Sequence, residues 1–154
     1  MREAERRPPP SPGAWPTITT STLEAGPHNV FAIYSGDANF TGSTGTDIHT
    51  VSQSATTTTV TSFPDPSNAG DTVAFLAFVQ PVAPGSGDPT GTVTFTVTDG
   101  VTTVTLTGTV DGDGVAAASS PLATAGVYTV TAVYGGDTNF TGSSDTDTQT
   151  VVGA

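Results

Sequence analysis

Residues 34–51 (YSGDANFTGSTGTDIHTV) and residues 134–151 (YGGDTNFTGSSDTDTQTV) are two copies of one stretch, one hundred residues apart without a gap. Carried back to Ala25 and Ala125, sixteen of twenty-seven aligned positions are identical. Self-similarity at a fixed period marks a repeat architecture, so what one copy folds into must also be open to the other. In a chain of 154 residues the period leaves room for one whole module, 52–154, behind the tail of a second, 17–51. Roughly a hundred residues bury a modest core and fold alone. The segment 17–51 is expected to be the C-terminal fragment of a preceding repeat. It has open edges and half a core, and is expected to be marginal by itself.

The repeated stretch sits among short runs with strand periodicity. In the whole module these are ATTTTVTS (55–62), TVAFLAFV (72–79), GTVTFTVT (91–98), VTTVTLTGTV (101–110), VAAASS (115–120), VYTVTAVY (127–134) and DTDTQTV (145–151). Val93, Phe95 and Val97 alternate with threonines, the mark of a strand with one buried face. The run 72–79 is apolar on both faces, as in a central strand or one covered by a neighbour. Asp99–Gly100 is a two-residue hairpin signal of type I′, which needs φ > 0 at both central residues. Pro64, Pro66 and Asn68–Gly70 mark a turn region, 80–89 a loop, and Asp111–Gly114 a second tight turn. In the first copy, TITTST (17–22) reads as the remnant of a late strand, followed by two more. No helical period is found. The sequence therefore predicts an all-β chain: a seven-stranded antiparallel immunoglobulin-like β-sandwich preceded by a truncated half-repeat.

The run GVYTVTAVYGGDTNFTGS (126–143) and its copy GPHNVFAIYSGDANFTGS (26–43) resemble the closing signature of bacterial Ig-like repeat domains. GTVTF (91–95) and Gly114-Val-Ala fit the same family. The resemblance covers 52–151 fully and 17–51 as a neighbour lacking its front strands. It implies tandem modules of secreted or cell-surface proteins, partnered by neighbouring repeats, with a spacer or adhesion role and no catalytic residues. Alternatives are a carbohydrate- or Ca²⁺-dependent ligand-binding module, with a carbohydrate or host-surface protein as partner, and an ancillary domain of a secreted hydrolase.

Charge narrows the function classes. The three basic residues, Arg2, Arg6 and Arg7, all lie in the first seven positions. Beyond them no Lys or Arg stands against the remaining acidic groups, and the formal net charge is −11. That excludes the phosphate-neutralising patch of a nucleic-acid binder and disfavours anionic membrane surfaces. No run approaches the ~20 apolar residues of a membrane span. Residues 1–16 lack an apolar signal-peptide core and read as a disordered leader or a misplaced start. The chain has no cysteine.

Catalysis has few means. Residues 52–154 contain no His, Cys, Glu, Lys, Arg, Trp or Met. Hydroxyls abound, but no base stands by to activate one. His28 and His49 stand at the positions of Tyr128 and Gln149 in the other copy, an exchange a catalytic residue would not tolerate. An immunoglobulin-type topology places the loops 80–90, 111–114 and 135–143 at one pole, and with them Asp111, Asp113 and Asp137. Clustered carboxylates and turn carbonyls can hold Ca²⁺. The favoured reading is that Asp–Gly pairs form turns and that Asp37 and Asp137 cap the turn after the tyrosine. Asp145 and Asp147 share a strand face expected to be solvated. Asn39 and Asn139 lie in N-F-T sequons, acceptors for glycosylation in a eukaryotic secreted protein; in a bacterial one they are expected to serve the loop. The structural motif is Tyr34, Gly36, Asp37 and Phe40 with Tyr134, Gly136, Asp137 and Phe140. Its aromatics could form a sugar platform. The favoured reading is that each Tyr ends a core strand and each Phe plugs the sheet ends, worth ~1.5–3 kcal/mol when buried.

Overall fold

The computed structural model describes residues 16–153; of the leader expected over 1–16, all but Pro16 lies outside the described residues. Ten strands follow: β1 (Gly26–Gly36), β2 (Thr41–Val51), β3 (Thr56–Phe63), β4 (Ser67–Asn68), β5 (Thr72–Pro81), β6 (Thr92–Thr98), β7 (Thr103–Thr109), β8 (Val115–Pro121), β9 (Gly126–Tyr134) and β10 (Ser143–Val152). β3 to β10 make a two-sheet sandwich. One sheet has the order β4-β10-β9-β6-β7 and the other β3-β5-β8. β1 and β2 form a separate two-stranded sheet.

Period-two alternation builds the core. Val73, Phe75, Ala77 and Val79 of β5 face Val93, Phe95 and Val97 of β6, and all are buried. The Phe75 and Phe95 rings meet at its centre, 6.4 Å apart between centroids. Tyr128, Val130, Ala132 and Tyr134 of β9 complete the wall. β5 is the middle strand of its sheet, as its apolar sequence predicts. Its second face is not covered, however: Ala74 and Leu76 are half-buried and Phe78 is exposed.

Four sequence expectations change. The run 17–22 forms no strand, so 16–51 holds two strands and not three. Its counterpart in the module, all but its last residue, lies in β8, which is held by β5; among the described residues the first copy has only the β1–β2 pair and no sheet in which 17–22 is a strand. The Asp99–Gly100 turn is not a two-residue type I′ hairpin. β6 and β7 pair up to Thr98 and Thr103, leaving a four-residue loop in which Gly100 alone takes positive φ. Asp99 Oδ1 accepts the N–H groups of Val101 (2.9 Å) and Thr102 (2.6 Å). A carboxylate acceptor thus replaces the left-handed Asp that the shorter turn requires, and the two N–H bonds hold the Asp99 carboxyl below its usual range. The sandwich is also not wholly antiparallel, because β4 pairs parallel to β10 at Ser67 and Val151.

The fourth change concerns Asp145 and Asp147, which are not simply solvated. β3 is an edge strand, and edge N–H groups need acceptors. Asp145 Oδ2 accepts from the Val60 N–H (3.0 Å), and Asp147 Oδ2 from the Ser62 N–H and hydroxyl (3.1 Å each). Ser143 Oγ meets the hydroxyls of Thr56 (2.8 Å) and Thr58 (2.7 Å). Further along, Gln149 Nε2 donates to the Pro64 carbonyl at 2.9 Å, and the Thr150 N–H donates to Asp65 Oδ1 at 2.8 Å. Alternate side chains of β10 therefore lace the open edge of one sheet to the other.

Candidate functional site

The repeated stretch forms the turn between two antiparallel strands in both copies, in the same register: Tyr34 pairs with Ser43 as Tyr134 pairs with Ser143. Its Gly is obligatory. Gly36 and Gly136 have φ of 86° and 83°, and a Cβ on either would stand 2.7–2.8 Å from the carbonyl oxygen of Phe40 or Phe140. Its Asp caps the turn. Asp37 Oδ1 accepts the N–H groups of Asn39 (2.7 Å) and Phe40 (2.9 Å), and Asp137 Oδ1 those of Asn139 (2.8 Å) and Phe140 (2.9 Å).

Beyond the turn the copies diverge. In the second, Phe140 is 5% exposed and belongs to the core, and Tyr134 is 1% exposed. In the first, Phe40 is 67% exposed and Tyr34 45%, so the expected plug does not form there. A plug needs sheet ends to close, and among the described residues no second sheet packs on β1–β2. The hydroxyls register the same difference. Tyr134 donates to the Thr90 carbonyl at 2.7 Å, while Asp137 Oδ2 accepts the Thr90 N–H and hydroxyl at 2.7 Å each. Where no such loop is present, Tyr34 donates to Asp37 Oδ2 at 2.9 Å.

Titration follows these environments. Burial, then the nearby Asp137 carboxylate, push the Tyr134 hydroxyl up to about 12. Burial works to raise Asp137, but hydrogen bonds from Thr90, Asn139 and Phe140 outweigh it and hold the carboxyl below its usual range. Asp37 is likewise held low by the Asn39 N–H, the Tyr34 hydroxyl and the Phe40 N–H, and Tyr34 is raised by its bond to Asp37.

The turn of the second copy also grips the chain arriving from the first. Gln53 Nε2 donates to the carbonyls of Asp137 (2.8 Å) and Thr138 (3.2 Å). Ser54 makes a parallel bridge to Phe140, with its N–H on the Asn139 carbonyl (2.8 Å) and its carbonyl receiving the Thr141 N–H (2.9 Å). Asn139 Oδ1 accepts the Ala25 N–H at 2.8 Å, which ties the segment before β1 to the same loop. Between them lies an open cleft of about 400 Å³, bordered by Glu24, Ala25, Ser54, Asp88, Asn139 and Phe140.

Among the described residues, no three carboxylates or imidazoles are grouped so as to hold a metal ion. Asp111, Asp113 and Asp137 do not come together as a ligand set. Asp111 Oδ1 is engaged within its own turn by the N–H groups of Asp113 (3.0 Å) and Val115 (2.9 Å). Thr90, Gln53 and Ser54, which complete the site, carry no sequence signal, because their roles exist only once distant loops are adjacent. Gln149 is fully buried at the position of His49, with its Nε2 also on Ser67 Oγ (3.3 Å) and the Thr150 carbonyl (2.9 Å). A polar residue at an inward position of β10 was the available signal for it. No helix among the described residues is long and apolar enough to cross a membrane.

A family model for the bacterial Ig-like domain (group 3) matches residues 60–153. No curated protein matches the chain.

Proposed function

Because the chain belongs to the bacterial Ig-like domain family, we propose that it serves as a non-catalytic spacer in a tandem array on a secreted or surface-displayed bacterial protein, holding neighbouring repeats at a set distance. The observation that carries this reading is the grip of the turn 137–141 on the linker. Gln53 and Ser54 give the inter-repeat segment four hydrogen bonds to one loop of the following module, and Asn139 adds one to Ala25. A linker with its backbone so engaged transmits orientation, whereas a free four-residue linker acts as a coil. Spin labels placed on β2 and β6 test the point through their distance distribution. Gln53→Ala with Ser54→Pro should broaden that distribution strongly. An equally broad distribution in the unaltered chain would defeat the spacer reading.

A second reading, a carbohydrate or host-surface protein held at the junction, draws on the cleft beside Glu24, Asp88 and Asn139. A glycan array with the whole chain tests it, and binding insensitive to Asp88→Ala and Asn139→Ala would remove it. Ca²⁺ is the third expectation. Its acid cluster is not assembled, so a titration calorimetry experiment should show no heat. The role of an ancillary domain of a secreted hydrolase concerns what the array is attached to and leaves the spacer mechanism unchanged.

A further inference from the structure

Both faces of the β1–β2 hairpin are open. Val30, Phe31, Ile33, Tyr34, Phe40 and Ile48 are all exposed, and among the described residues β1 and β2 pair only with each other. The chain itself shows what covers such a surface. β9–β10 has the same register and turn; β9 pairs with β6 in one sheet, and the inward face of the hairpin packs on β3 and the core across the sandwich and is closed by the loop at Thr90. The buried set of that face is Tyr128, Val130, Ala132, Tyr134, Phe140, Gln149 and Val151. The first copy keeps five of the seven as Val30, Ala32, Tyr34, Phe40 and Val51. It also keeps Ser43, Asp37 and Asp47 at the positions of Ser143, Asp137 and Asp147, which bond Thr58, Thr90 and Ser62. The departures are His28, His49 and Gly45, the last removing the carboxylate that serves Val60.

We infer that the β1–β2 hairpin is a strand-exchange element: it seats on β3 to β8 of a second copy of this chain, in the place that copy's own β9–β10 otherwise fills. Chain geometry rules out the same seating within one molecule. Seated there, Val51 would stand where Val151 does, beside Ser67, while Thr56 begins β3 beside Ser143. Those two points are eight residues of antiparallel strand apart, about 27 Å. The five steps from Val51 to Thr56 reach at most about 18 Å. Exchange is therefore intermolecular, and because donor and acceptor surfaces differ it runs head to tail, growing into chains or closing into rings. It competes with the resident hairpin, which is tethered in place at high effective concentration and keeps Tyr128, Gln149 and Asp145. Weakening the resident hairpin uncovers it. The inference stands on the repeat itself and not on the spacer reading.

The chain's lack of cysteine allows a direct test. A full-length background carrying Tyr134→Ala and Phe140→Ala loosens the resident hairpin. In that background Ser43→Cys in one chain is mixed with Thr58→Cys in a second, size-tagged chain and mildly oxidised. Exchange brings position 43 to the place of Ser143, 2.7 Å from the Thr58 hydroxyl oxygen. The mixed disulfide should form several-fold more than with Thr44→Cys, which faces the other way on the strand. Light scattering should show oligomers that grow with concentration and fall back when Tyr34→Ala and Phe40→Ala are added. Equal crosslinking from positions 43 and 44, as a merely unfolded chain would give, overturns the inference. So does oligomerisation that survives loss of Tyr34 and Phe40. A background chain that stays monomeric without crosslinking overturns it as well.

Discussion

Phe140 and Phe40 occupy equivalent places in two copies of one turn, and only Phe140 has a core beneath it. Replacing each by Ala therefore measures what the tertiary setting adds to an identical local sequence. Phe140 is almost fully buried, at 5% exposure, and truncating such a ring removes its transfer energy and leaves a cavity, ~3–5 kcal/mol together. Phe40 is 67% exposed, and an exposed substitution away from special features falls within about 0.5 kcal/mol. For a domain of this size the first loss is a large part of a total near 5–15 kcal/mol, and it lowers Tm by on the order of 20 °C. Urea titrations of both variants at one low protein concentration would read the difference as a shift in midpoint at constant m. The turn's own bonds, Asp to the two N–H groups, are untouched in either variant. Similar midpoints for the two variants, or a loss below about 1 kcal/mol for Phe140→Ala, would refute the reading of Phe140 as the closure of the core.

Tyr134, raised to about 12, ionises in the unfolded chain near 10 and in the folded chain later. The stability it contributes is complete below about pH 10 and is lost as pH climbs toward the folded value; Tyr134→Phe should flatten a stability profile taken across that window. Asp137 has the opposite sign: its lowered folded value gives stability that is full above the ordinary carboxylate range and disappears as pH falls below it, and Asp137→Asn should remove that acid slope. Asp147→Ala strips the acceptor from the Ser62 N–H and hydroxyl, which should cost ~1–3 kcal/mol and speed exchange of the Ser62 amide; an unchanged exchange rate would mean that water serves the edge as well. Gly136→Ala places a Cβ 2.8 Å from the Phe140 carbonyl at φ 83° and should cost ~1–3 kcal/mol, whereas Gly112→Ala, with open space around it, should be tolerated in the same melting experiment.

What could be read from the chain was whatever depends on neighbours along it. Alternation puts Val93, Phe95 and Val97 on a buried face and Tyr128, Val130, Ala132 and Tyr134 together on one face, because side-chain direction in a strand follows residue number alone; that the second face is buried is seen in the structure. The Gly–Asp turn was legible for the same reason: its left-handed Gly and its Asp-to-amide bonds close within four residues. The type I′ reading of Asp99–Gly100 failed because the same dipeptide serves two loop lengths, and strand pairing beyond it chose the longer. TITTST forms no strand, because alternation says which face a residue takes and not whether a sheet stands beside it. For Asp145 and Asp147, residue number gives one shared face without saying what lies opposite, and what lies opposite is the unpaired edge of β3. The repeated stretch itself marks the division. Sixteen of twenty-seven shared positions were enough to determine one hairpin, one register and one capped turn in both copies. Whether Tyr and Phe lie in a core or in solvent was decided by the tertiary structure, because burial belongs to the surfaces that meet and only one copy has a second sheet to meet.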